Sequence, residues 1–169
     1  NYETVVGRGG TTLGVGLARM NYEVGGALSA IGAEGKSLTF SLFGQTPLYH
    51  RTNRSLTMRY GYNYRDLNDD ITAFGLEGKK HTHSVYLGVA GTQRMYRATL
   101  DYNANLTVGR LNYDSEYSSI LGALSQTDEG TYAKFEADLT AVQQLGSTTD
   151  FLVKVSGQKA SRNLDSSEE

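Results

Sequence analysis

Alternation of apolar and polar residues over about a dozen positions at a time is what most limits how this chain can fold. From Ser55 to Arg65 the even positions are Leu56, Met58, Tyr60, Tyr62 and Tyr64, and the odd ones are Ser, Thr, Arg, Gly, Asn and Arg. From Arg97 to Val108 the apolar set is Ala98, Leu100, Tyr102, Ala104, Leu106 and Val108, against Arg97, Thr99, Asp101, Asn103, Asn105 and Thr107. A third stretch sets Ala133, Phe135, Ala137, Leu139 and Ala141 against Lys134, Glu136, Asp138 and Thr140. Side chains of a strand point alternately to opposite faces, so each stretch is a strand with one greasy and one wet surface. Ordinary globular strands run to about 5–6 residues, whereas a bilayer-spanning strand needs about 9–11. These are of the long kind.

Charge follows the same parity. Arg59, Asp101, Lys134, Glu136, Asp138 and Lys154 stand near strand centres opposite most of the aliphatics. In a membrane wall they must face the lumen, since Lys or Arg on the lipid side at mid-bilayer costs about 2–4 kcal/mol. In water the same residues are a solvated face of an antiparallel sheet, and alternation alone leaves both readings open.

Composition narrows the classes further. The chain has 169 residues, enough for one domain, with 20 Gly, 12 Tyr, one Pro and no Cys or Trp. No apolar run approaches the roughly 18 residues of a spanning helix, and the mean hydropathy is −0.42. A barrel hides its hydrophobicity in every second residue, so this average does not argue against one. Sixteen basic and 18 acidic residues are interspersed, giving no basic stripe and no expectation of nucleic-acid binding.

Read in order, the expected strands are Thr11 to Tyr22, Ser37 to Gln45, Ser55 to Leu67, His83 to Thr92, a fifth from near Met95, Tyr132 to Gln143 and Thr149 to Gln158. Gly7-Arg8-Gly9-Gly10 reads as a flexible entry to the first. Pro47 is expected to end the second strand and Asn68-Asp69-Asp70 the third, and Gly91-Thr92-Gln93-Arg94 reads as a hairpin link. Tyr113, Tyr117, Ile120, Leu121 and Leu124 fall at helical spacing, predicting a short helix in the 109–130 loop. The expected fold is all-β: an antiparallel meander of about seven long strands, part of a transmembrane β-barrel. Tyr22, Tyr49, Tyr62, Tyr64 and Tyr96 stand where an interface girdle would fall.

Sites for chemistry are weakly signalled. His81-Thr82-His83 puts two imidazoles on one side of a strand, but no third ligand stands nearby for zinc. A calcium loop opening at Asn68 lacks its glycine and its closing glutamate, where Ala73 and Lys79 stand. Gly7 to Gly10 lacks the Lys-Ser/Thr of a phosphate loop. No cofactor, metal or catalytic residue is expected.

The C-terminal third carries Gly109-Arg110-Leu111, Gly130-Thr131-Tyr132-Ala133-Lys134, then Gly157-Gln158-Lys159-Ala160 and Asn163-Leu164-Asp165-Ser166-Ser167-Glu168. Earlier come Pro47-Leu48-Tyr49, Arg51, Asn53-Arg54-Ser55-Leu56 and Tyr64-Arg65-Asp66-Leu67. These patches resemble the barrel of the ShlB/FhaC/HecB-type haemolysin secretion and activation proteins, the transporters of two-partner secretion. The resemblance implies an outer-membrane barrel that exports a secreted haemolysin- or adhesin-type client without enzymatic chemistry. It also implies that residues 1–169 are part of that barrel domain, without the family's periplasmic POTRA domains, its Val-Arg-Gly-Tyr loop and its closing strands. A passive outer-membrane pore and a soluble β-sheet binding module are the alternatives. The candidate lumen residues are Arg59, Arg65, Asp101, Asn103, Lys134, Glu136, Asp138 and Lys154. Asp138 and Glu136 are candidate partners for the missing loop's arginine, with a structural salt bridge within the wall the favoured reading for each alone. The start at Asn1-Tyr2-Glu3 and the end at Ser167-Glu168-Glu169 read as cuts in a longer protein. The open strand edges of such a piece are expected to drive self-association.

Overall fold

Residues 1–23, 33–71, 76–113 and 130–162 are described in the computed structural model. They form eight strands: β1 (Tyr2–Val6), β2 (Thr11–Glu23), β3 (Ala33–Arg51), β4 (Arg54–Ile71), β5 (Leu76–Met95), β6 (Ala98–Tyr113), β7 (Gly130–Gln144) and β8 (Asp150–Ala160). Each pairs antiparallel with its neighbour in sequence, giving one meander in the order β1 to β8. Among the described residues no helix occurs, and β1 and β8 each keep one edge unpaired.

The all-β meander is as expected, with strands longer than the expected bounds and one strand more. The extra one is β1, whose residues Tyr2 to Val6 pair with Thr11 to Val15. Gly7 to Gly10 is therefore a hairpin turn and not a loose entry. Gly7 and Gly10 both adopt φ of 74°, a left-handed conformation that glycine takes without steric cost. Pro47 does not end its strand: β3 runs on to Arg51 through a shift in register between Pro47 and Tyr49. A bulge is one of the few places in a sheet where a residue without an N–H is tolerated. Asn68, Asp69 and Asp70 belong to β4, in register with Lys36, Gly35 and Glu34. The turn expected at Gly91 to Arg94 is two residues further on, at Tyr96-Arg97, since Met95 pairs with Ala98. The expected helix lies largely outside the described residues, and its flanks Gly109 to Tyr113 and Gly130 are strand.

Connections differ between the two ends of the sheet. At one end they are the short turns 7–10, 52–53, 96–97 and 145–149. At the other the strands are joined through 24–32, 72–75 and 114–129. Backbone bonds stitch neighbouring turns together: Arg94 N donates to Asn53 O at 2.7 Å and Gln144 N to Arg97 O at 2.7 Å.

The register assigns every strand residue to a face, and the faces are inverted relative to a soluble sheet. Val85, Leu87, Leu106, Val108, Phe135, Leu139, Val153 and Val155 share one face, and all are exposed, Leu87 by 54% and Val85 by 58%. The buried polar side chains Ser37, Thr82, Ser84, Thr107 and Lys134 all lie on the other face. No second layer among the described residues covers them, so the sheet shelters its polar side by curling around it. An antiparallel sheet in water packs its apolar face on a core and leaves the polar face wet. This sheet does the reverse.

Candidate functional site

The polar concave face is built from strand parity and from small residues placed beneath long ones. Arg59 on β4 is in register with Gly88 on β5, and Ala90 is the next residue of β5 on that face. With so little side chain in the way, the Arg59 guanidinium crosses β5 and donates to Oδ1 of Asn103 on β6. Asn103 in turn donates through Nδ2 to Asp138 on β7 at 3.2 Å. Asp138 also accepts from Ser156 on β8, its register partner, and lies within the field of Lys154. One hydrogen-bonded line thus runs across β4, β6, β7 and β8. Beside it Lys134 and Glu136 pair at 3.3 Å along β7, and Asn105 donates to Thr107 at 3.1 Å.

All eight charged and polar candidates read from sequence fall on this face, and six of them line one hollow of about 520 Å³: Arg59, Arg65, Asn103, Lys134, Glu136 and Asp138. Asp101 lies outside it toward the short turns, accepting from Thr92 at 2.6 Å. Lys154 lies on exposed β8, in register with Thr140. Sequence reasoning did not name Asn63, Ser84, Tyr86 or Ser156 among the lumen candidates; the available signal was shared parity with Arg65 for Asn63 and with Lys154 for Ser156, and alternation with Val85 and Leu87 for Ser84 and Tyr86. Among the motif residues, Pro47 stands at the β3 bulge and Gly109 faces Tyr132. Gly157 and Gln158 lie on opposite faces of β8. Asn163, Leu164, Asp165, Ser166, Ser167 and Glu168 lie outside the described residues.

Five strand pairs share a device that the sequence does not display. Gly14 faces Phe43, Gly44 faces Tyr60, Gly61 faces Tyr86, Gly91 faces Tyr102 and Gly109 faces Tyr132, each directly across its ladder. A Cβ on any of these glycines would stand 2.4–2.6 Å from the facing ring, and at Gly91 also 2.4 Å from the Ser55 carbonyl oxygen and 2.5 Å from the Tyr102 hydroxyl. Each aromatic side chain therefore fills the space that a Cβ on the facing glycine would need, covering backbone that would otherwise be open. The joints alternate between faces from one strand pair to the next.

The outer face is an apolar band with polar, aromatic borders. Toward the short turns, Tyr60 hydroxyl meets Thr46 at 3.3 Å, Thr46 is joined to Thr11 at 3.2 Å, and Tyr102 is hydrogen-bonded to Tyr49. Toward the longer connections, Tyr62 hydroxyl is 2.6 Å from Nδ1 of His83. The Tyr64 ring lies 4.8 Å from His83, and Asn112 reaches His81 at 3.3 Å. His81 and His83 thus belong to this border.

The band also runs obliquely to the ladder. A single row of register partners links Leu13, Gly44, Tyr60, Leu87, Leu106, Phe135 and Lys159. On β2 this row enters the band at its turn-side limit, since Leu13 is followed by Val15 and Leu17. On β8 it leaves at the opposite limit, since Lys159 comes after Phe151, Val153 and Val155. Strands inclined at 35–45° move a row of six inter-strand spacings, about 29 Å, by about 17–20 Å along the barrel axis. That climb is most of the roughly 25 Å height of a lipid-facing band.

A curled antiparallel meander, polar inside and apolar outside, with strands inclined to its band, has the architecture of a β-barrel wall. The chain is similar to the heme/hemopexin transporter protein HuxB of Haemophilus influenzae, 20% identical over 169 residues, and 22% over 170 residues in strain KW20 / Rd. The alignments cover 99% of this chain and 30% of the relative, so the chain spans about a third of the length of the curated relatives it matches. No family model matches the chain, and no solved structure matches it.

Proposed function

We propose that this chain forms part of the wall of an outer-membrane β-barrel transporter of the two-partner secretion type, whose client is a secreted exoprotein. The inverted sheet carries the reading: exposed aliphatics outside and sheltered charge inside suit lipid on one side and an aqueous passage on the other. The oblique band and its aromatic borders support the same reading. The motif patches around Pro47 and Gly157 and the similarity to a transporter favour transport over a passive pore. The client is of the haemolysin or adhesin kind that the motif patches imply, or a haem-carrier-binding exoprotein of the kind HuxB's name suggests.

No catalytic step is required of the wall. Its inner face offers hydrogen bonds of mixed sign in a hydrated channel, so an extended chain exchanges partners as it passes without a deep binding site. The Arg59–Asn103–Asp138–Ser156 line holds its own charges in place while leaving Lys134 and Glu136 as a neighbouring pair.

Two measurements test this. Mixed with preformed liposomes, the chain is expected to float with the vesicles and show strand-type circular dichroism; a monodisperse particle that ignores lipid would overturn the wall reading. Without lipid, the apolar face and the open edges of β1 and β8 are expected to drive self-association. The full-length protein reconstituted in liposomes is expected to bind and pass its exoprotein client. Ion conductance without client binding would leave the passive pore.

A further inference from the structure

We infer that a dry collar of side chains on the inner face, Leu67, Thr82, Leu111 and Tyr132, seals this arc of the passage near the long connections; this rests on the barrel-wall reading above. Shelter is unevenly shared along the inner face. At the short-turn end the inward residues Arg94, Asp101, Gln144 and Leu152 are exposed. Toward the long connections Leu67, Thr82, Leu111 and Tyr132 are all buried, Thr82 to 1% exposure. Among the described residues, Leu67, Leu111 and Tyr132 are the only hydrophobic side chains this sheltered. The driest part of the molecule is therefore inside the wall.

The four belong to successive strands, β4 to β7. Thr82 is in register with Leu111. Leu67 stands two residues to the long-connection side of Arg65, the other partner of Thr82, and Tyr132 two residues to the turn side of Gly130, the other partner of Leu111. From β4 to β7 the collar thus descends four residues, about 9–11 Å along the axis for strands inclined at 35–45°. A register row climbs the opposite way by about 8–10 Å over the same three inter-strand spacings. The two cancel, so the four side chains stand at one level around the passage. On β3, Ser37 is the register partner of Leu67 and is buried too.

Oγ1 of Thr82 is closed to solvent and has no hydrogen-bond partner, a cost that a wetted lumen would remove. Charge flanks the collar without entering it: Arg65 and Lys134 lie toward the hollow, and Lys80 toward the long connections. An apolar level in an aqueous pore opposes water and ions by dewetting. The hollow thus offers hydrogen bonds to a chain in transit, and the collar limits ion leakage when no chain is present.

The test uses the full-length protein in planar phospholipid bilayers. Leu67→Ser and Leu111→Ser are each expected to raise the resting ion current several-fold. Leu152→Ser, an apolar-to-polar change on the exposed turn-side stretch of the same face, is expected to leave it unchanged. Thr82→Val removes the unpartnered hydroxyl while keeping the shape, so it is expected to raise the unfolding midpoint and leave the current as it was. Thr82→Cys is expected to resist a charged methanethiosulfonate added from either side, whereas Thr99→Cys, inward-facing near a short turn, reacts. An unchanged current in both serine variants, an equal rise in Leu152→Ser, a lower midpoint in Thr82→Val, or labelling of Thr82→Cys at the rate of Thr99→Cys would overturn the inference. Should the serine variants fail to fold, the two cysteine variants decide. Failure of the wild-type protein to insert would instead remove the wall reading on which the collar rests.

Discussion

Arg59 on β4 is hydrogen-bonded to Asn103 on β6 across an entire intervening strand, because β5 places Gly88 and Ala90 beneath the guanidinium. Asn103 then joins the arginine to Asp138, so one amide mediates between opposite charges on strands that do not touch. Asn103→Ala is expected to lower stability in liposomes by about 1–2 kcal/mol, the usual cost of stripping partners from a charged group that is partly sheltered. Urea unfolding with Arg59→Ala, Asn103→Ala and the double variant gives the coupling directly. Strictly additive losses would mean that the contact contributes nothing.

The Gly109–Tyr132 joint gives a cleaner steric test. The three atoms nearest a Cβ at Gly109 would all belong to the Tyr132 side chain, at 2.5–2.7 Å. Gly109→Ala is expected to cost roughly 1–3 kcal/mol, as overpacking does. Adding Tyr132→Ala should make the glycine substitution nearly neutral, measured as the difference between single and double variants.

Lipid on the outer face predicts a sharp contrast between sequence neighbours. Leu106 is exposed on the apolar band and Asn105 lies on the polar face. Leu106→Arg is expected to destabilise the inserted protein by about 2–4 kcal/mol, while Asn105→Lys, which gives up one side-chain hydrogen bond to Thr107 on the polar face, costs about 0.5–1.5 kcal/mol. Equal effects in liposome unfolding would contradict the assignment of faces.

Orientation is open to labelling because the chain has no cysteine. Thr131→Cys, near the long connections, is expected to react with a membrane-impermeant maleimide on intact cells carrying the full-length protein. Arg97→Cys, in a short turn, is expected to react only after the outer membrane is opened. The reverse pattern would invert the topology.

Face assignment on β4, β6 and β7 was legible in the sequence, because a period of two depends on nothing but the strand itself, until a register shift such as that between Pro47 and Tyr49 breaks it. Strand ends were not. Pro47 and Asn68 to Asp70 read as stops, yet they lie in strands that extend beyond the apolar band, where polar residues carry no penalty. β1 was missed because Gly7 to Gly10 looks like slack chain, although Tyr2-Glu3-Thr4-Val5-Val6 has strand composition. The Arg59–Asn103 contact and the glycine–aromatic joints were out of reach for another reason: both depend on which residue of one strand faces which residue of the next.

That dependence gives the joints a role that alternation cannot fill. Sliding one strand by two residues keeps every side chain on its proper face, so hydrophobic patterning is blind to such an error. It would, however, lift Tyr60 off Gly44 or Tyr86 off Gly61 and drive each ring against an ordinary side chain. Five aromatic keys, each cut for one bare notch, make the two-residue slip as conspicuous to the folding sheet as a one-residue slip, and they do so on both of its surfaces.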